Sequence, residues 1–96
     1  MPSKPLEVCI CAAIQLQDGR VIRGHRHDDC LQTAMKWRRA GQEVGSIQQA
    51  AQGFLTSHER FVSREEGARL TYEAGRLSAQ TGAPFTSNLL FSEDLY

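Results

Sequence analysis

Neither sign of charge is in excess in this chain of 96 residues, because 11 basic side chains balance 11 acidic ones. A net charge of zero provides no overall field that would attract a nucleic-acid polymer or an anionic membrane surface. The predicted partners therefore include neither DNA, RNA nor a membrane. We expect the charged residues to act locally.

Long apolar runs and cysteines are also few. The longest apolar stretch, Val8 to Ile14, is too short to cross a bilayer. The first 15 residues lack the basic start and apolar run of a signal peptide. Three cysteines cannot all pair within one chain, and reduced thiols are typical of a reducing compartment. The sequence thus predicts a cytoplasmic protein.

Recognisable catalytic motifs are absent. The chain has no Gly-x-Ser-x-Gly, phosphate-loop or His-Glu-x-x-His pattern. Glu65 and Glu66 are adjacent, so on a helix they diverge by about 100° instead of forming a carboxylate pair. His27 and Cys30 could touch on a helix, but no third group is evident to orient them. We predict that the protein is not an enzyme.

Metal-binding residue types are present without metal-binding spacing. Cys9, Cys11, His25, His27 and Cys30 could supply the sulfur and imidazole ligands that zinc prefers. However, no Cys-x-x-Cys or His-x3-His spacing occurs, and the first two cysteines lie among Val, Ile and Ala like core residues. We predict no cofactor and no metal, and keep a small zinc-stabilised domain as an alternative.

The apolar pattern predicts a single α+β domain over residues 1–96. In the first half it indicates a strand buried on both faces, a tight Asp-Gly turn, a returning strand and an amphipathic helix. These elements cover Glu7 to Leu16, Gln17 to Arg20, Val21 to Arg23 and Asp28 to Ala40. Residues 1–6 are expected to form a flexible lead-in.

In the second half, residues 41–52 allow a short helix or a loop. Two short strands follow, with a turn between them, over Gly53 to Thr56 and Arg60 to Val62. Ser63 and Glu66 then fit a capping box for a second helix that runs to about Leu77. The predicted architecture is a small antiparallel β-sheet with two main α-helices.

The last residues are predicted to be a flexible polar linker over 78–84 and an apolar tail over 85–96. The tail is too apolar to be left in solvent, although Ser92 to Asp94 are expected to be solvated. A chain this small often gains stability by associating with copies of itself, so we expect an oligomer.

The first candidate binding segment is Gly24 to Cys30, which gathers two imidazoles, a guanidinium and two carboxylates. Arg26 could bind a phosphate bidentately while His27 or His25 fixes a ribose or phosphate oxygen. The alternative is an ordinary helix start, with Asp28 as N-cap, Asp29 in the first turn and Arg26 paired with them.

The second candidate segment runs from Gly53 to Glu66. Arg60 and Arg64 lie at a helix start and could bind phosphate, and Phe54 or Phe61 could stack on a base. Thr56 and Asn88 are further candidates for binding a ribose. The alternative is that both rings face the core and both arginines pair with nearby glutamates. Since neighbouring strand residues point to opposite sides, Phe61 and Val62 cannot both be in the core.

The ordered set of motifs resembles the type 1 Thoeris anti-defence proteins, a family of small phage proteins. The motifs are Ala12 to Ile14, Asp18-Gly19, Gly24 to His27, Gly53 to Glu66 and Leu90 to Tyr96. The resemblance spans the chain from about residue 8 to residue 96.

This resemblance implies a non-catalytic sponge that sequesters cyclic ADP-ribose isomers made by bacterial TIR immune enzymes, and in some members cyclic oligonucleotides. It implies a homodimer or hexamer with pockets between subunits, acting in the cytoplasm of the bacterial host cell. The chain differs from the family in its short middle, Ala40 to Gln52, and in Gly67 inside the second helix. A protein–protein inhibitor of a host enzyme, acting through the apolar tail, is the other alternative.

Overall fold

The computed structural model describes residues 7–96, and the expected lead-in over residues 1–6 lies outside this range. An antiparallel sheet and two α-helices form an α+β fold, which confirms the predicted class. The strands are β1 (Cys9–Gln15), β2 (Val21–Gly24), β3 (Ala51–Thr56) and β4 (Phe61–Ser63), and the helices are α1 (His27–Arg39) and α2 (Arg64–Glu73). Short 3₁₀ turns lie at Ile47–Gln49 and Ser92–Asp94.

The strands lie in the order β2-β1-β3-β4, and every pairing is antiparallel. Ile14 lies opposite Ile22, Ala12 opposite Phe54, and Phe54 opposite Val62. Directly opposed residues project to the same side of a sheet, so these side chains form one continuous apolar face. Both helices pack on that face, and the core lies between the helices and the sheet.

The core has two clusters side by side. α1 contributes Cys30 and Ala34 to the first cluster, above β1 and β2. α2 contributes Ala68 and Leu70 to the second, around the fully buried Phe54. Burying a Leu or Phe side chain is worth about 1.5–3 kcal/mol, so packing on the sheet is the main force that holds both helices.

The order strand, strand, helix occurs twice, and the two hairpins are forty residues apart. In both turns the first residue donates its N–H to the carbonyl of the fifth, at 2.8 Å over residues 16–20 and at 3.0 Å over residues 56–60. Both turns place a residue at positive φ, Gly19 at 96° and Glu59 at 60°. The predicted Asp-Gly turn and the predicted turn at residues 57–59 are both confirmed.

The strand register has the same symmetry as the turns. Ala13 lies opposite Gly53, forty residues later, and the pairs Ala12–Phe54 and Ile14–Gln52 are exchanged by a half-turn about that point. A pseudo-twofold axis therefore passes through the sheet between β1 and β3. The helices depart from it, because two residues separate β2 from α1 whereas β4 runs directly into α2.

Within residues 7–96 neither α1 nor α2 packs on the face of the sheet opposite the core. Phe61 lies on this side, half-buried, close enough that a Cβ on Gly53 would lie 2.8 Å from its Cζ. Val62 faces the core with 4% exposure, which confirms that the two neighbours point apart. Full burial of β1 on both faces is confirmed for Ala12–Ile14, whereas Ile10 is 51% exposed.

The start of α2 agrees with the sequence and its end does not. Ser63 is the N-cap, and its Oγ accepts the N–H of Glu66 at 3.1 Å. The Glu66 carboxylate binds Arg69 instead of completing the capping box. The prediction that the helix reaches Leu77 is wrong: α2 ends at Glu73, because Gly75 takes a left-handed φ of 66°.

The start of α1 also differs from the prediction. The N-cap is Arg26, not Asp28, and the Asp29 carboxylate accepts the Arg26 N–H at 3.0 Å. Asp28 lies in the first turn and binds Gln32 at 3.0 Å. Acidic residues at a helix start are favourable, as expected. The Arg26 guanidinium, however, forms no ion pair with Asp28 or Asp29.

Residues 78–96 are bound to the domain at several points. Leu90 is fully buried, which confirms that the apolar tail packs against the core. The expectation that Ser92 to Asp94 are solvated is wrong for Ser92, which is 2% exposed, and for Asp94, which is 8% exposed. Its carboxylate accepts hydrogen bonds from the Ser78 hydroxyl at 2.6 Å and from the Phe91 N–H at 3.0 Å.

Candidate functional site

The N-termini of α1 and α2 meet above the centre of the sheet. His27, the first residue of α1, is 9% exposed, and its Nε2 lies 2.7 Å from the Gly53 carbonyl oxygen. Its Nδ1 lies 3.4 Å from Nη2 of Arg64, the first residue of α2. The chain reaches this position because β2 ends at Gly24, where a Cβ would lie 3.1 Å from the Cys30 sulfur.

His27 is held in its neutral form. Burial, reinforced by the nearby charge of Arg64, lowers its pKa below 6.5, although the Gly53 carbonyl and the charge of Glu93 act in the opposite direction. A neutral ring with its proton on Nε2 donates to Gly53 and leaves Nδ1 to accept from the Arg64 guanidinium. His27 therefore joins one strand and both helix N-termini without adding a charge.

Arg26 points from the start of α1 toward the C-terminal residue. Its Nη2 donates to the main-chain oxygen of Tyr96 at 2.7 Å, and its guanidinium carbon lies 5.1 Å from the centre of the Tyr96 ring. The Tyr96 ring also stacks on His25 at 4.0 Å, and its hydroxyl donates to the His25 carbonyl at 2.6 Å. The end of the chain is thus fixed against the residues that precede α1.

Arg64 has a similar environment on the other helix. Its Nη2 donates to the Gln52 side-chain oxygen at 2.9 Å, and its guanidinium carbon lies 5.3 Å from the centre of the Phe91 ring. Its own carbonyl accepts the Leu90 N–H at 3.1 Å. Since Leu90 is bound here and Tyr96 is bound at Arg26, the C-terminal segment 90–96 connects the two helix starts. We call Arg26, His27, Arg64, Phe91 and Tyr96 the arginine site.

Neither arginine has an Asp or Glu carboxylate within 4.0 Å among residues 7–96. Arg26 Nη1 and Arg64 Nε are buried and have no hydrogen-bond partner in the same part of the chain. A buried donor left unpaired costs about 1–3 kcal/mol. Two helix N-termini add positive potential at the same place. The site therefore has unused donors and a charge that suit an anion.

Arg60 and Thr56, two of the predicted site residues, lie elsewhere and are already paired. Arg60 binds Glu7 bidentately, with Nε and Nη2 each 2.6 Å from a carboxylate oxygen. The Thr56 hydroxyl donates to the same carboxylate at 2.5 Å. These contacts hold the pKa of Glu7 down at about 2. They support the alternative that Arg60 is neutralised by carboxylates: Glu7 is its main partner, and Glu66, a neighbouring glutamate, lies 3.7 Å from its Nη2.

The three remaining predicted residues offer no group to a ligand in the arginine site. Phe54 is fully buried and meets the His27 ring edge-on at 5.2 Å, so its faces are not open to a base. Phe61 lies on the uncovered side of the sheet, away from the helices. Asn88 is exposed in a groove of about 320 Å³ beside α2 that Tyr72 also lines. Of eight predicted residues, the structure brings together Arg26, His27 and Arg64.

Gln52, Phe91 and Tyr96 contact these arginines and were not identified from the sequence. The sequence contained a partial signal, because two of the tail's aromatic residues alternate with Leu90 and Leu95, which enter the core. Phe91 and Tyr96 remain 40% and 38% exposed. Leu90 and Leu95 turn toward the core, and the aromatic ring that follows each of them is left for other contacts.

The thiols lie in surroundings that disfavour chemistry at sulfur. Burial raises the pKa of both Cys9 and Cys30 to about 11, and it also raises that of Cys11. Within residues 7–96 no three His, Cys, Asp or Glu side chains are grouped so that they could hold a metal ion. In the same range no helix combines the length and apolar character needed to cross a membrane.

Comparison with known proteins gives a family. A family model described as Phage T4 y16D protein matches residues 8–96. Searches of the curated proteins and of the solved structures found no match. The chain therefore belongs to the phage T4 y16D protein family. Its phage character is confirmed, whereas its assignment to the Thoeris anti-defence proteins stays a prediction.

Proposed function

We propose that this member of the phage T4 y16D protein family is a non-catalytic sponge for a cyclic nucleotide signal. The observation that carries the proposal is the pair of arginines, each with a buried, unpartnered N–H, at two converging helix N-termini. Guanidinium groups and helix N-termini are the groups that bind phosphate best in proteins. Pyrophosphate or phosphodiester groups would satisfy both.

The C-terminal segment supplies the rest of the proposed pocket. The main-chain oxygen of Tyr96 is the acceptor that Arg26 uses in the free protein, and a phosphate oxygen would replace it. Phe91, which lies beside the Arg64 guanidinium and is 40% exposed, offers an aromatic face to the base, whereas the Tyr96 ring is already stacked on His25. Base–aromatic stacking is worth about 1–3 kcal/mol per base. Cyclic ADP-ribose isomers and cyclic oligonucleotides carry both the phosphate and the base.

Sequestration needs no general base or nucleophile, and it agrees with the surroundings of the candidate groups. Cys30 is protonated at neutral pH and directed to the Ala12 carbonyl, and His27 is bound on both nitrogens. Binding without turnover would remove a host defence signal in the bacterial cytoplasm. Self-association of the chain belongs to the same proposal.

The test is isothermal titration calorimetry with cyclic ADP-ribose isomers, cyclic dinucleotides, linear ADP-ribose and inorganic phosphate. We expect tight binding of a cyclic nucleotide, and heat denaturation should release it unchanged. Recovery of a hydrolysed product would make the protein an enzyme. If inorganic phosphate binds and no cyclic nucleotide does, the site is a general anion site and the sponge proposal is wrong.

Arg64→Gln gives the matched test of the site. We expect it to weaken binding about tenfold or more, since a hydrogen bond to a charged group is worth about 1.5–3 kcal/mol. Arg39→Gln removes the same charge from an exposed position at the end of α1 and should leave affinity unchanged. Equal losses in both variants would show that only net charge matters.

A protein–protein inhibitor is the second candidate, because Leu89, Phe91 and Tyr96 keep 38–40% exposure in the tail. An inhibitor would bind none of the nucleotides in the calorimeter. Its affinity for a host enzyme would fall in Leu89→Ala, which lies outside the arginine site. A sponge would bind a cyclic nucleotide in the calorimeter, and Leu89→Ala would leave that binding unchanged.

A further inference from the structure

The groove beside α2 has two walls that the fold holds in place. One wall is the outer side of α2, and the other is the segment of residues 86–88. That segment is fixed at both ends, because the Phe85 N–H donates to the Arg76 carbonyl at 2.9 Å and the Leu90 N–H donates to the Arg64 carbonyl at 3.1 Å. Phe85 and Leu90 are also buried. The groove is therefore formed by the fold itself, and its volume of about 320 Å³ lies in the range of small-ligand sites.

Tyr72 lines this groove with an aromatic ring that is open to solvent. It is 63% exposed, more than any other aromatic residue in the range 7–96. The other two exposed aromatic residues of that range both have partners. Phe91 lies against Arg64, and Tyr96 is stacked on His25. Tyr72 has no such partner among the described residues, so the faces of its ring are available to a ligand in the groove.

The charges around the groove disfavour an anionic ligand. Of the described residues that line it, Arg69 alone is basic. Its guanidinium is bound on both sides, with Nε 2.9 Å from a Glu66 carboxylate oxygen and Nη1 2.9 Å from a Glu73 carboxylate oxygen. Glu65, on the same wall, has no basic partner within 4.0 Å among residues 7–96. A phosphate would meet a free carboxylate and no free guanidinium, in contrast to the arginine site.

The wall opposite α2 presents hydroxyl and amide groups. Thr86, Ser87 and Asn88 follow one another there, and all three are exposed. Each of these side chains can both donate and accept hydrogen bonds. The Ser87 Oγ accepts the Leu89 N–H at 3.4 Å, which leaves its own O–H able to donate. Such groups suit an uncharged ligand that also donates and accepts at every polar atom, as hydroxyl groups on adjacent carbon atoms do.

We propose that this groove binds a neutral saccharide. The C–H face of a pyranose ring is apolar and would lie on the Tyr72 ring, while its hydroxyl groups would bind the Asn88 amide, the Ser87 hydroxyl and the Glu65 carboxylate. A polyamine, the cationic alternative, would use Glu65 and Tyr72 but leave the donors of residues 86–88 unpaired. The groove shares no residue with the arginine site, so this proposal does not depend on nucleotide binding.

The experiment is saturation-transfer difference NMR on the full chain with glucose, galactose, mannose, N-acetylglucosamine and spermidine as separate probes. We expect transfer from the protein to the pyranose C–H protons of one or more sugars, strongest on one face of the ring. The dissociation constant should be about millimolar, as is usual for a ligand of this size in an open site. Transfer to none of the sugars, or to spermidine alone, would overturn the proposal.

Two substitutions of Tyr72 test the ring directly, and its exposure means that neither disturbs the core. Tyr72→Ala should weaken saccharide binding by about tenfold, because the stacking surface is lost, whereas Tyr72→Phe keeps the ring and most of the affinity. Leu77→Ala is the matched control, since Leu77 is 62% exposed and does not line the groove. Unchanged binding in Tyr72→Ala would show that the sugar binds elsewhere and would contradict the proposal.

Two further measurements separate this groove from the nucleotide site. Asn88→Leu keeps the approximate size of the side chain but removes its amide, and it should weaken saccharide binding while leaving nucleotide affinity unchanged. Arg64→Gln should have the opposite effect on the two ligands. If cyclic ADP-ribose displaces the sugar, or if Arg64→Gln abolishes saccharide binding, the groove belongs to the nucleotide site and a separate saccharide site is wrong.

Discussion

The neutral state of His27 has a consequence for stability. Because its folded pKa is below the ordinary 6.5, the unfolded chain binds a proton in this pH range that the folded chain does not. The free energy of unfolding should be constant above pH 6.5 and fall as pH drops below it, by up to about 1.4 kcal/mol per pH unit. Urea unfolding across this range measures the slope.

His27→Gln removes that titration and should flatten the slope. His58→Gln is the matched control, because it removes a histidine that lies outside the arginine site, beside Glu7. A slope that persists in His27→Gln would show that another group causes the pH dependence.

The contact between Arg60 and Glu7 gives a second prediction at the level of single residues. A carboxylate with a lowered pKa stabilises the fold above its unfolded pKa, and that stability is lost as pH falls toward about 2. Arg60→Gln should lower the melting temperature at neutral pH, and the difference from the unmodified chain should vanish near pH 2. Nucleotide affinity should be unaffected. Loss of nucleotide binding in this variant would show that Arg60 contributes to the ligand site.

Sequence proximity explains which residue roles could be predicted. Arg26 and His27 lie in one polar segment and Arg64 at a helix start, so local patterns identify them. The bidentate partner of Arg60 is more than fifty residues away, at Glu7, and no local pattern contains that contact. The burial of Phe54 likewise depends on which side of β3 the helices cover.

At the level of elements, the two hairpin turns allow a paired test. Gly19 suits its positive φ, whereas Glu59 takes a similar conformation at a cost of about 1–2 kcal/mol. Glu59→Gly should stabilise the fold by about 0.5–1 kcal/mol after the added chain entropy is subtracted. Gly19→Ala should destabilise it by about 1 kcal/mol, through strain alone, since a Cβ there meets nothing within 4 Å. Chemical denaturation measures both, and changes of the same sign would contradict this account.

Element positions were predicted better than element ends. The strands around Asp18-Gly19 and the short helix within residues 41–52 are both present. The end of α2 was missed because a glycine in a helical pattern can either continue or stop the helix. Gly67 continues it, since α2 packs so closely that a Cβ would lie 3.1 Å from the Phe54 ring, whereas Gly75 stops it.

At the scale of the whole molecule, the arginine site is assembled from three distant parts of the chain. Arg26 and His27 come from the first strand-strand-helix unit, Arg64 from the second, and the aromatic rings from the C-terminal segment 90–96. The sequence contains these residues, but the antiparallel contact of β1 with β3 is what brings the helix starts together. A ligand bound there would link all three parts.

Because the two hairpins are related by an offset of forty residues, matched positions in them can be compared within one protein. A position in one hairpin has a counterpart in the other hairpin that shares its place in the strand pairing but differs in side chain and neighbours. Substitutions at such counterparts, compared within a single polypeptide, separate what the backbone imposes from what the surroundings contribute.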